Sequence, residues 1–282
     1  MKPARTAGDR RGEALPGFGL SLGLTLAYLA LLVFIPLSTL VLKSASLSFE
    51  RLWDLATSAR ALASYRLTFG AAAIAAGINL VFGLPVAWVL ERYRFPGRGV
   101  VNALVDLPFA LPTAVAGIAL ASLFAPSGWY GQILESLGWK IAYTPAGVVV
   151  ALTFIGLPFV VRTVQPVLRD LDPAIEEAAS TLGASRWATI RSVILPELWP
   201  AAFTGFVLAL ARGLGEYGSV IFIAGNLPMR SEITSLLIMI RLEEFDVPGA
   251  TAIALVFLLA SFALLLLLNR LTAFRRRKVM PA

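Results

Sequence analysis

Arg212 and Glu216 stand four residues apart in ARGLGEYGSVIFIAGN, residues 211–226, within a long apolar stretch. That spacing puts both on one face of a helix, where they can pair. Ionisable groups in hydrocarbon are costly and mark a functional pathway by default. Two readings stand side by side. In the first, Arg212 attracts an anion on its way through a membrane, and Glu216, which would repel the anion, is a gate or an anchor for Arg212. In the second, the pair neutralises itself and fixes helix packing. Asn79, in the middle of another apolar run, either lines the same route or bonds to a neighbouring helix. These three residues make the candidate translocation set. Histidine and cysteine are absent from the 282 residues, which excludes imidazole and thiolate metal sites, disulfides, Cys or His nucleophiles and His proton relays. No two runs present facing acids, so no catalytic or metal-binding residue is expected.

A second constellation is built for docking. Residues 172–200, DPAIEEAASTLGASRWATIRSVILPELWP, form a polar stretch between two apolar runs. Asp172 followed by Pro173 is a strong helix start, with the carboxylate capping free N–H groups and proline at the first helical position. Glu176 and Glu177 fall near the positive end of the helix dipole. Ile175, Ala179 and Leu182 share one apolar face. Gly183 is placed to end the helix in the left-handed conformation. Ser185 can cap a second helix carrying Trp187, Ile190 and Ile194, which Pro196 is expected to break. The product is a helix–glycine–helix elbow, with Ala178 and Ala179 available for close contact.

The elements that must position these residues are membrane helices. Hydrophobic residues make up 58% of the chain and charged ones 15%, with a mean hydropathy of +0.79. Six runs, near 19–42, 67–90, 101–123, 146–164, 201–224 and 250–271, are long enough to span about 30 Å of hydrocarbon as helices. Pro36, Pro85, Pro112 and Pro158 fall inside them, where neighbouring helices can satisfy the freed carbonyls. The first run follows a basic tail but is too long for a signal-peptide core. Three units follow: a tail over 1–18, a six-span domain over 19–271 containing the elbow at 172–196, and a basic tail over 272–282. Arginine and lysine crowd the segments after the second and fourth spans and both termini, which places both termini and the elbow in the cytoplasm. The positive charge reflects that bias and is no nucleic-acid footprint. Trp129, Tyr130, Trp139 and Tyr143 read as an interfacial aromatic belt. In the loop 225–248, Ser231-Glu232 precedes an apolar run from Ile233 to Ile240. That run is either a helix on the outer surface or a re-entrant element. Ala201, Gly205, Ala209 and Gly213 form a small-residue stripe for close helix approach, within the chain or across a subunit interface.

Glu177-Ala178-Ala179, three residues, Gly183, nine residues, then Val193-Ile194-Leu195-Pro196 resembles the EAA loop of ABC-importer permeases. The one departure is Val193 where that pattern has isoleucine. The resemblance implies that Glu177, Ala178, Ala179, Gly183, Leu195 and Pro196 belong to a coupling helix seated in a cytoplasmic ATPase. LPFALPTAVAGIAL (107–120), GLPFVVRTVQPVL (156–168) and residues 211–226 extend it to sulfate/thiosulfate permeases of the T type, over roughly residues 60–270. The expectations it carries are an all-α type I importer fold with six transmembrane helices and sulfate, with thiosulfate, as cargo. It also implies a second, similar permease subunit, two ABC ATPase subunits and an extracytoplasmic sulfate-binding protein, in a bacterial inner membrane. No phosphate-binding loop is present, and none of Lys2, Lys43, Lys140 and Lys278 follows a glycine. ATP and magnesium are therefore expected on the partner ATPase and no cofactor on this chain. Molybdate or tungstate remains an alternative cargo. An ion-coupled secondary transporter is the alternative class, though it leaves the elbow unexplained.

Overall fold

The computed structural model describes residues 18–279, those after Leu271 as helical backbone alone. The rest of the expected N-terminal tail and residues 280–282 lie outside the described residues. Among the described residues every regular element is a helix. In chain order they are α1 (Phe18–Ala45), α2 (Phe49–Ala56), α3 (Ala59–Arg92), α4 (Arg98–Val105), α5 (Leu107–Ala110), α6 (Thr113–Phe124), α7 (Trp129–Ser136), α8 (Pro145–Asp170) and α9 (Pro173–Thr181). There follow α10 (Arg186–Leu214), α11 (Val220–Ile223), α12 (Thr234–Glu243) and α13 (Val247–Val279). Five of them, α1, α3, α8, α10 and α13, are long and apolar enough to cross a bilayer.

Small residues decide how the central three, α3, α8 and α10, meet. Ala71, Ala72, Ala75 and Ala76 of α3 and Ala151 and Val160 of α8 are buried, as are Ala202 and Ala209 of α10. A Cβ on Gly205 would sit 2.7 Å from the Val160 Cα and 2.4 Å from the Thr163 Oγ1. One on Gly213 would meet the Ala72 Cβ at 3.3 Å. The stripe therefore closes α10 onto α8 and α3 of its own chain by backbone contact. By contrast, α1 buries only Ser44 and presents apolar side chains outward.

The sequence expectation fails at two places. The third run is not one helix. It breaks after Val105 and again at Leu111, which turns extended (ψ 135) because the following Pro112 disfavours helical backbone there. The chain still crosses. α3 ends beside Arg169 at the end of α8, while Tyr143, just before α8, donates its N–H to the Ile223 carbonyl at the opposite end. Residues 93–144 must run from one end of the bundle to the other, so the crossings number six. The fifth span starts earlier than the apolar run, at Arg186 in place of 201, and ends at Leu214. Pro196 does not interrupt it. A wide π turn over Ile190–Ile194 removes the clash a proline ring makes with the preceding turn. The same device precedes Pro36, where the π turn covers Ala30–Phe34.

The helix expected near 233–240 forms as α12 but is not a surface piece. It buries Thr234, Leu236 and Leu237. Ser231-Glu232 does not cap it: Ile233 occupies the cap position without a side-chain bond.

Candidate functional site

The elbow forms as its capping residues require. The Asp172 Oδ1 accepts the Ala174 N–H at 2.9 Å. The Gly183 N–H reaches the Ser180 carbonyl and the Ala184 N–H the Ala179 carbonyl, both at 3.0 Å, the paired bonds that close a helix through a left-handed residue. Gly183 is that residue, with φ +81 and nothing within 4 Å of an added Cβ. Ser185 then accepts the Ala188 N–H at 3.3 Å and starts α10. No residue of α9 is buried. Ile175 and Trp187 are exposed and Leu182 is 87% exposed. Glu177 and Ala178 are exposed, Ala179 is half-buried, and Leu195 and Pro196 open outward on α10. An apolar face this bare on a polar stretch has no partner among the described residues.

Arg212 and Glu216 pair, with Nη1 2.6 Å from the Oε2. Arg212 lies in the last turn of α10, and Glu216 lies beyond the helix end. The other Glu216 oxygen accepts the Ser219 N–H at 2.9 Å and the Ser219 hydroxyl at 3.0 Å. The Glu216 side chain is 2% exposed and that of Arg212 35%. Glu216 is thus an anchor for a turn, and Arg212 keeps an open side. The turn sits under α6, where a Cβ on Gly117 would come within 2.3 Å of the Ser219 carbonyl oxygen.

Asn79 neither faces an opening nor bonds to a neighbour. It is 1% exposed, and neither its Nδ2 nor its Oδ1 has a hydrogen-bond partner. It fits because residue 156 is glycine: a Cβ there would lie 2.4 Å from the Asn79 Nδ2 and 3.3 Å from the Ala209 Cβ. Ala209 precedes Arg212 by one turn, so Asn79 and Arg212 occupy neighbouring levels of the bundle about 5 Å apart along its axis.

Sequence reasoning passed over two polar fasteners. Arg162 spends every N–H it has. Its Nε reaches the Asp106 Oδ1 at 2.7 Å and its Nη2 the other Asp106 oxygen. Asn102 accepts at its side chain and carbonyl, both at 2.8 Å, and Gln165 takes the last. That grip holds the broken third crossing against α8. At the opposite end, Arg60 makes a two-pronged bond to Glu232 at 2.8 and 2.7 Å. Glu232 is almost wholly buried, two residues before Thr234, whose hydroxyl lies within hydrogen-bonding distance of those of Ser64 and Thr68. The available signal was one of sign. Asp106 and Arg162 are lone opposite charges in two different apolar runs.

Known proteins place this geometry. The family described as binding-protein-dependent transport system inner membrane component matches residues 79–280. The sulfate transport system permease protein CysT of Salmonella typhimurium is 53% identical over 268 residues, 95% of this chain and 97% of its own. Its namesake in Synechococcus elongatus is 49% identical over 253 residues, 90% of this chain and 91% of its own. Among solved structures, a bacterial ABC transporter involved in the import of the acidic polysaccharide alginate superposes with a TM-score of 0.71 at 18% identity, covering 91% of this chain and 96% of that one. The inward-facing MetNI methionine transporter gives 0.57 at 20% identity, covering 83% and 100%. Both share the fold.

Proposed function

The chain belongs to the binding-protein-dependent transport system inner membrane components, and from that premise we propose that it is the membrane-spanning subunit of an ATP-driven importer carrying sulfate into the cell. It is a multi-pass inner-membrane permease. The observation that carries the coupling reading is the elbow: a doubly capped, unburied helix turn leading without a break into α10. The sulfate assignment is supported by relatives about half identical over nearly their whole length.

The partners follow from this reading. An ABC ATPase pair seats α9, with ATP and magnesium held there. A second, similar permease completes the channel, and an extracytoplasmic sulfate-binding protein delivers the ion to the end that carries Arg60 and Glu232. Both termini and the elbow face the cytoplasm, and thiosulfate shares the route. A divalent oxyanion is heavily penalised in hydrocarbon, so it needs a polar path open only transiently. Arg212 offers that path one guanidinium with an open side, and Glu216 is occupied by Ser219. Selectivity rests in the binding protein, and the permease supplies a tolerant route under alternating access.

The test is ATP-dependent uptake of radiolabelled sulfate by vesicles holding the permease pair, ATPase and binding protein, with wild type set against Gly183→Asp. A side chain at φ +81 strains the turn by about 1–2 kcal/mol and meets no neighbour, so the complex assembles while uptake collapses. An assembled, ATP-hydrolysing wild type that moves molybdate but no sulfate overturns the cargo. Uptake without the ATPase overturns the importer reading.

A further inference from the structure

Resting on that importer reading, we propose that Glu91 and Arg92, the last two residues of α3, form a two-point charge clamp that makes α3 move with the elbow. The helix α9 itself is otherwise loosely held, although Leu171 and Ile190 on either side of it pack on a cluster containing Leu90 and Leu168. α9 buries no residue of its own, and it continues covalently from α8 through Leu171 and Asp172. A push on it would reach α8 through the chain but would reach α3 only by side chains.

Those side chains are consecutive and of opposite sign. Arg169, just before the corner, donates from Nε to the Glu91 Oε1 at 3.0 Å and from Nη2 to the Oε2 at 3.4 Å. Glu176, on α9 past the corner, accepts from the Arg92 Nη2 at 2.5 Å. The corner between α8 and α9 is therefore gripped on both sides. The two grips cannot exchange partners, because sliding by one residue would set like charges together. Each clamp residue is itself held. Glu91 is 10% exposed and has Arg98 at 3.9 Å. The Arg92 guanidinium lies 5.5 Å over the Trp88 ring one turn back, an arrangement that favours a cation.

The Arg169–Glu91 pair does little for stability, since Arg169 is 68% exposed and exposed ion pairs contribute little. The value of both pairs is geometric. Glu91, Arg92, Arg169 and Glu176 are positioning residues that fix the distance between α9 and the end of α3.

The full transporter tests this with two readouts. The first is sulfate moved per ATP hydrolysed, for Arg92→Glu, Glu176→Arg and the double reversal, with Glu91→Arg, Arg169→Glu and their double as the second grip. Each single reversal lowers the ratio by about tenfold, within the usual range of coupling between distant sites. The double reversal restores most of it, which a merely structural role would not do. Arg92→Glu lies on α3 and carries the test should Glu176→Arg weaken ATPase docking. Single reversals that transport at the wild-type ratio overturn the clamp. The second readout needs no cargo. The chain has no cysteine, so in a transporter whose partner subunits are made cysteine-free, spin labels at Val89→Cys and Ser180→Cys report the α3–α9 distance alone. A clamped pair keeps one narrow distance with and without ATP, and Arg92→Glu broadens it. A wild-type distance that shifts with ATP refutes the clamp even where sulfate proves to be the wrong cargo.

Discussion

Truncating Asn79 should stabilise the packing and slow the transporter. Its amide is 1% exposed with both polar atoms unpaired. An unmatched buried amide costs about 1–3 kcal/mol, whereas a made hydrogen bond contributes only about 1. Asn79→Ala removes that penalty and leaves a cavity of roughly 25 Å³, worth about 0.6 kcal/mol against it. The net gain is about 0.5–2.5 kcal/mol. In any state where α3 draws away from Gly156, the amide can bond to water or to a helix carbonyl. Wild type is thus biased away from the described packing, and the alanine variant is biased toward it by about 2- to 70-fold. The assay is thermal unfolding of the purified transporter beside ATP-dependent sulfate uptake. The unfolding midpoint should rise by about 2–4 °C per kcal/mol gained, and uptake should fall. A midpoint lowered by several degrees would mean that the amide is bonded and that the orphan reasoning is wrong.

Gly205→Ala is expected to destabilise by about 1–3 kcal/mol, the usual range for overpacking, because its Cβ would lie 2.7 Å from the α8 backbone at Val160. An unchanged unfolding midpoint would refute that contact. Arg212→Ala alone should impair assembly, since it strands Glu216, 2% exposed, as a buried carboxylate that has lost its partner. Arg212→Ala with Glu216→Gln keeps the Ser219 bonds without the charge and should assemble. If that double variant transports sulfate at the wild-type rate, Arg212 has no place in the pathway.

The elbow was legible because its signals are local. Asp172-Pro173, Gly183 and Ser185 each act within a few residues, and each does what its chemistry requires. The first, second, fourth and sixth spans were legible from hydropathy alone, which needs only length. The broken third crossing was not. Hydropathy runs on through Val105 and Leu107; Pro112 marks the second break locally, whereas Asp106, at the first, is held by Arg162, which lies 56 residues away. The start of the fifth span was misplaced because proline is usually a boundary, and no sequence pattern announces the π turn that absorbs Pro196. Arg212 with Glu216 could be paired from spacing, but the role of Ser219 in fixing Glu216 belongs to a turn past the helix end. Asn79 was placed in the right run, yet its isolation follows from Gly156 and Ala209 on other helices.

The distribution of polar grip suggests where the bundle yields. At one end Arg60 holds Glu232. At the other, Glu91 and Arg92 hold the elbow corner, and Arg162 holds the third crossing. Between them, α3, α8 and α10 meet through Ala and Gly, with Asn79 unsatisfied at the centre. Interlocked large side chains resist sliding, and directional ion pairs resist separation. A central layer of small residues resists neither strongly, and its one amide favours opening. Motion delivered at the elbow would therefore be carried rigidly to the ends of α3 and α8 and released at the level of Asn79 and Arg212.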